Sequence, residues 1–220
     1  MSQSGQAGAS RSLVISYLGL RKAIGVIGVT LPFVLVIGKY LIEGPSIQSS
    51  ISSYYHTAMR DVFVGSLCAM AIFLMSYRGY ERKDDIAGDL ACVFAIGVAL
   101  FPTKPAAVDV TSLDKVFGFV HFGFAAALFL TLAFFSLYLF PKTAQGMTPT
   151  PQKRQRNLVY RICGCIMLGC IALIIIVSPL SRDSQIKQLA PVFWLEAVAL
   201  VAFGVSWFTK GEGILKDREI

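Results

Sequence analysis

Two histidines, His56 and His121, and three carboxylates, Asp61, Asp114 and Glu196, stand at the margins of apolar runs, and Arg60 adjoins Asp61. Imidazole nitrogens and carboxylate oxygens are ligands that zinc takes up, so His56, Asp61, His121 and Glu196 form a candidate metal set. A metal held there would activate water for hydrolysis. Without a metal, the same groups can serve as general acid and base or relay protons. A third use involves no reaction: Arg60, Asp61, His121 and Glu196 satisfy one another as a polar lock between helices. Ser52 precedes His56 by four residues, one helical turn, which pairs a hydroxyl with a base. The run Ser49, Ser50, Ser52 and Ser53 is equally good turn and capping material.

The elements that carry these groups are apolar. Hydrophobic residues make up 55% and charged residues 15% of the 220-residue chain, against about 25% charge in an ordinary soluble domain. The mean hydropathy is +0.65. Six apolar runs are expected as helices: about Ala23–Ile42, Asp61–Tyr77, Ile86–Phe101, Val116–Phe140, Tyr160–Leu180 and Val192–Phe208. The expected fold is all-α, an integral membrane six-helix bundle over residues 13–209. Residues 1–12 are polar and Gly/Ser-rich, expected as a disordered N-terminus, and residues 210–220 form a tail. Leu13–Leu20 is either a short interfacial helix or an extension of the first run. Pro32 predicts a kink. The connection 142–157 is basic and Thr/Pro/Gln-rich, expected as a mobile loop.

Lysine and arginine divide unevenly between the two ends of such a bundle. Fourteen fall on the side that holds both termini and the second and fourth connections, and six on the other: Lys39, Arg60, Lys104, Lys115, Arg182 and Lys187. The positive-inside rule then places both termini in the cytoplasm. The net charge of +7 sits beside run ends, where it meets anionic headgroups. No P-loop, zinc-finger or dinucleotide pattern accompanies it, which argues against nucleic acid. The five cysteines all lie inside apolar runs, as packing residues do, with no exposed disulfide framework. Asp89, near the start of the third run, is expected to pair with Arg78, Arg82 or Arg161.

Helical spacing brings the candidate residues toward one place. Asp114, Gly118, His121, Ala125 and Leu128 form one stripe of the fourth run. Its small residues permit close helix approach, so the stripe should face the bundle. Asp61, Gly65, Cys68 and Ala69 form a similar stripe on the second run, and Glu196, Ala199, Phe203 and Ser206 on the sixth. His56, Arg60, Asp61, Asp114, His121 and Glu196 are thus expected to line one polar pocket in the outer leaflet.

The serine-containing loop before the second run, the Phe101-Pro102 end of the third and His121-Phe-Gly-Phe-Ala125 resemble bacterial six-span proteins of unknown function. More distantly they resemble the DRAM-type six-span family. That resemblance covers the first four runs and implies membrane residence rather than an activity. Ser52, His56 and Asp61 also resemble the opening element of the alkaline ceramidase and progestin-receptor-like hydrolases, whose later His-x-x-x-His pair this chain lacks. The expectation is therefore a multi-pass protein of a bacterial inner membrane. Its pocket binds a membrane lipid or small ligand, or the chain serves as a subunit beside a partner membrane protein or a second copy of itself, with no cofactor. A zinc-dependent lipid amidase or esterase is the alternative, and a transporter or channel the next.

Overall fold

The computed structural model describes residues 3–79, 81–106, 109–143, 146, 148–178 and 189–216. Leu180, the expected end of the fifth run, lies outside these residues, as do Arg182, Lys187 and Arg218 from the charge count. The helices are α1 (Gln3–Glu43), α2 (Arg60–Met75), α3 (Arg82–Leu100), α4 (Ser112–Phe134), α5 (Pro151–Val177) and α6 (Pro191–Lys210). Among the described residues there is no strand.

Local chemistry sets the starts. Thr111 Oγ1 accepts from the Asp114 N–H at 3.1 Å while Asp114 Oδ2 accepts from the Thr111 N–H at 3.0 Å. This reciprocal cap begins α4 four residues before its apolar run. Glu81 and Asp84 cap α3 in the same way. Thr150 accepts from the Lys153 N–H at 3.0 Å and Pro151 takes the first helical position. The helix α5 therefore includes Lys153, Arg154 and Arg156, which the sequence placed in a mobile loop. At the other end of the chain, α1 takes in residues 3–12 of the segment expected as a disordered N-terminus and Leu13–Leu20, with Pro32 inside it.

Among the described residues, four helices are long and apolar enough to cross a membrane: Tyr17–Glu43, Ser112–Leu139, Pro151–Val177 and Pro191–Lys210. The helix α2 has 16 residues, about 24 Å at 1.5 Å per residue. Large apolar side chains face outward around the bundle, among them Phe33, Ile37, Ile72, Val93, Phe119 and Ile176. A surface of that extent suits hydrocarbon rather than water.

Consecutive helices pack side by side, and α1 meets α6 to close them into a ring. The α1–α6 seam is the most extensive interface, and glycine makes it so. A methyl placed on Gly204 would meet the Gly25 carbonyl oxygen and the Val29 nitrogen, both at 2.6 Å. The backbones touch there because neither residue carries a side chain. Inside the ring, Tyr77, Phe135, Phe140, Tyr160, Phe203 and Trp207 form one aromatic cluster, with Phe140 and Trp207 centroids 5.1 Å apart. A π-helical turn at Phe135–Leu139, closed by the Phe140 N–H to the Phe135 carbonyl at 2.8 Å, turns Phe135, Ser136 and Phe140 inward. Ser136 Oγ meets Ser206 Oγ at 2.8 Å in the same layer.

Gly204→Ala should lower the thermal midpoint in detergent, by an overpacking cost of about 1–3 kcal/mol. Gly169→Ala on α5, where nothing lies within 4 Å, should hold or raise it, since alanine is the better helix former. Equal midpoints for the two variants would mean that the seam tolerates a methyl.

Candidate functional site

Ring closure brings the 3-10 turn Ser52–His56 beside the C-terminal end of α3 and the N-terminal ends of α4 and α6. Here the candidate residues separate into three groups rather than one. Glu196 forms the first. Its Oε2 accepts from the Ile51 N–H at 2.6 Å and the Ser52 N–H at 3.3 Å. Those are donors that the start of a short helix leaves unsatisfied. The carboxylate thus anchors the loop before α2 to α6, and the Phe193 N–H adds a bond to the Ser49 carbonyl at 3.1 Å.

The two histidines form the second group. His121 is 4% exposed, and its Nδ1 lies 2.6 Å from the Phe101 carbonyl oxygen. His56 Nε2 lies 2.7 Å from the Thr103 carbonyl oxygen. A carbonyl only accepts, so each ring nitrogen carries the proton. Both imidazoles therefore hold the segment that leaves α3, whose last carbonyls have no helical partner. The hydrogen bonds of Asp114 go to Thr111. His121 Nε2 and Thr103 Oγ1 are buried without a hydrogen-bond partner.

Arg60 and Asp61 form the third group, on the outside. The guanidinium of Arg60 stands 4.6 Å from the Tyr55 ring centroid and donates to its hydroxyl at 2.9 Å. Asp61 is exposed. With Tyr55, Val64, Gly65, Ala99 and Leu100 the pair lines an open groove of about 600 Å³ between α2 and α3.

Several expectations change accordingly. The inward stripes of α4 and α6 are present, with His121, Leu128, Ala199, Phe203 and Ser206 all buried. The stripe of Asp61 is not the inward face of α2. Phe63, Leu67, Met70 and Leu74 are, because large apolar side chains fill the core and leave the small ones at the rim. Ser52 and His56 do not pair either. A 3-10 turn has three residues per turn, so positions four apart stand about 120° apart around its axis. The four nominated metal ligands follow the same division, with Glu196 on the loop amides and the histidines on the loop carbonyls. Among the described residues no three His, Cys, Asp or Glu side chains come together in a way that could hold a metal ion. Asp89 does meet Arg78, at 3.8 Å with both side chains exposed.

Two spaces adjoin these groups. The cavity within the ring, lined by Ser52, Glu196 and apolar residues such as Leu67, Leu128 and Phe203, holds only about 40 Å³. That is room for a water or two. A groove on the outside of α6, between α1 and α5, measures about 540 Å³, within the roughly 300–1,000 Å³ of small-molecule sites. Its walls include Phe33, Ile37, Ile47, Cys163, Trp194 and Ala197, and none of its lining residues is charged. Analysis from sequence missed this groove because each lining residue alone is an ordinary apolar residue of a run. It also missed the pattern Thr111-Ser-Leu-Asp114, which signals a cap directly. No family model, curated protein or solved structure matches the chain.

If Glu196 serves as the cap of the turn, Glu196→Leu should destabilise the fold by about 1–3 kcal/mol, since it strands two amides. Glu196→Gln keeps an acceptor and should cost much less. Thermal unfolding of the two proteins compares them directly, and a larger loss for Gln than for Leu would rule the cap out.

Proposed function

We propose that this chain is a six-span membrane protein whose role is to bind the acyl chain of a membrane lipid in the groove between α1, α5 and α6. Four of the helices satisfy length and apolarity on their own. The helices α2 and α3 are counted as spans because they complete the ring with apolar outward faces, including Ile72, Met75, Leu90, Val93 and Leu100. The short α2 borrows the Ser52–His56 turn at its outer end. The excess of lysine and arginine at the opposite end supports a cytoplasmic position for both termini.

The observation that carries the lipid reading is the uncharged groove itself, set in the part of the bundle that hydrocarbon surrounds. In that position the available occupant is an acyl chain, and a concave wall gives it more contact than a convex helix does. Trp194, 54% exposed, stands near the outer end of α6, where an indole suits the headgroup boundary. The polar groups of the outer end then act as fasteners that hold this wall in shape. Glu196 ties α6 to the loop before α2, and buried Lys39 donates to Ser46 at 2.5 Å beside Glu43 at 3.6 Å. Glu43 in turn accepts from the Ala58 N–H at 2.5 Å.

Filling the groove tests this reading. Native mass spectrometry of wild type released from mild detergent should show phospholipid adducts, and Ala197→Phe should reduce the lipid-bound fraction severalfold. Leu130→Phe, on an exposed position of α4, should leave it unchanged. Undiminished adducts in a folded Ala197→Phe protein would refute the groove as the lipid site.

A further inference from the structure

Arg60 and Asp61 stand apart from the fasteners of the histidine end and line the groove of about 600 Å³ between α2 and α3. Several charged side chains elsewhere in the ring are engaged by the protein itself. Lys153 and Lys210 both donate to the Phe140 carbonyl, at 2.7 and 3.4 Å. Lys142 meets Asp84 at 3.0 Å and Glu81 at 3.4 Å. Asp61 differs. Among the described residues its carboxylate has neither an ion pair nor a hydrogen bond.

Arg60 is held in place without being neutralised. Its guanidinium lies 4.6 Å from the Tyr55 ring centroid and gives one N–H to the Tyr55 hydroxyl at 2.9 Å. A guanidinium has five N–H donors, and among the described residues no carboxylate takes the others. Consecutive positions on a helix do not face each other, so Arg60, drawn to Tyr55, leaves Asp61 unpaired. The groove thus offers a cation and an anion beside apolar walls of Val64, Ala99 and Leu100. Its floor is open at Gly65, where an added methyl would meet nothing within 4 Å. A ligand with charge of one sign is attracted by one of these residues and repelled by the other. A ligand carrying both signs satisfies both. Phosphate takes guanidinium donors, and a primary ammonium gives its N–H groups to a carboxylate. A quaternary ammonium binds through aromatic faces instead, and here Arg60 and the His56 ring, 5.4 Å away, already occupy Tyr55.

We propose that the groove between α2 and α3 binds a phosphoethanolamine group, its phosphate on Arg60 and its primary ammonium on Asp61. The headgroup of phosphatidylethanolamine and free phosphoethanolamine share that chemistry. This groove has no lining residue in common with the acyl groove between α1, α5 and α6, and either site can fail without the other.

Thermal unfolding of the full chain in neutral detergent, at constant ionic strength, tests the assignment. The midpoint is titrated with dioctanoyl phosphatidylethanolamine, phosphatidylcholine and phosphatidic acid. The acyl chains are identical, so the acyl groove contributes equally and the differences report on the headgroup. Phosphatidylethanolamine should reach half-saturation at a concentration roughly tenfold lower than either of the others. Equal or tighter half-saturation by one of the others, or no stabilisation by phosphatidylethanolamine, overturns the proposal. If free phosphoethanolamine also raises the midpoint, the site takes the free group; if only the lipid does, it takes a headgroup. Asp61→Asn should abolish the preference over phosphatidic acid. Gly65→Leu should block the groove and abolish both preferences, and it keeps the test open if Asp61→Asn does not fold. Gly123→Leu, on α4 where an added methyl likewise meets nothing within 4 Å, should leave them unchanged. The wild-type preference in either folded site variant, or its loss in Gly123→Leu as well, would sink the assignment.

Discussion

The contact between the backbones of α1 and α6 is the constraint on which the rest of the molecule depends. Helices in lipid gain little from burying apolar surface against one another, because the surrounding chains are as apolar as they are. Close approach must supply the attraction, and Gly25, Gly28 and Gly204 permit it, with Gly211 against the backbone of Leu18 and Lys22 further along. Once α1 and α6 touch, the first and last helices close a ring whose other neighbours are consecutive in sequence. The groove over α6, the interior cavity and the layer of basic side chains are all consequences of that closure.

Polar side chains at the histidine end of the ring serve the backbone more than they serve each other. Glu196 takes two amides, His56 and His121 take two carbonyls, Asp114 takes the start of its own helix, and Glu43 takes the Ala58 amide. In hydrocarbon an unsatisfied backbone group is costly, and this end contains a 3-10 turn and a proline-containing segment that cannot satisfy themselves. Arg60, His121 and Glu196 thus reach Tyr55, the Phe101 carbonyl and the Ile51 and Ser52 amides, not one another. Side chains fasten loops to helices instead of pairing across the bundle.

The basic end follows different physics. Arg21, Lys153 and Lys210 stand over aromatic faces there, and the buried Asp84 receives Lys142 at 3.0 Å. The same residues that set topology in the sequence become a shaped surface once Phe140 is turned inward by the π-helical turn.

Much of the helical framework was legible in the chain, because apolar runs and caps are local signals. The six runs appear where the six α-helices of the described residues form, and Thr150-Pro151 marks the true start of α5 although hydropathy places it at Tyr160. The inward faces of α4 and α6 were legible too, since small residues beside His121 and Glu196 indicate helix contact. The joining of His56, Asp61, His121 and Glu196 into one pocket was not. Their partners are main-chain groups of Ile51, Ser52, Phe101 and Thr103, and a backbone amide or carbonyl has no letter in a sequence. Composition and periodicity determined that this is a bundle of apolar helices with one strongly basic end. Which carboxylate meets which amide, where a groove opens and which lysines share a carbonyl were decided only by the tertiary structure, because each depends on distances between residues far apart in the chain.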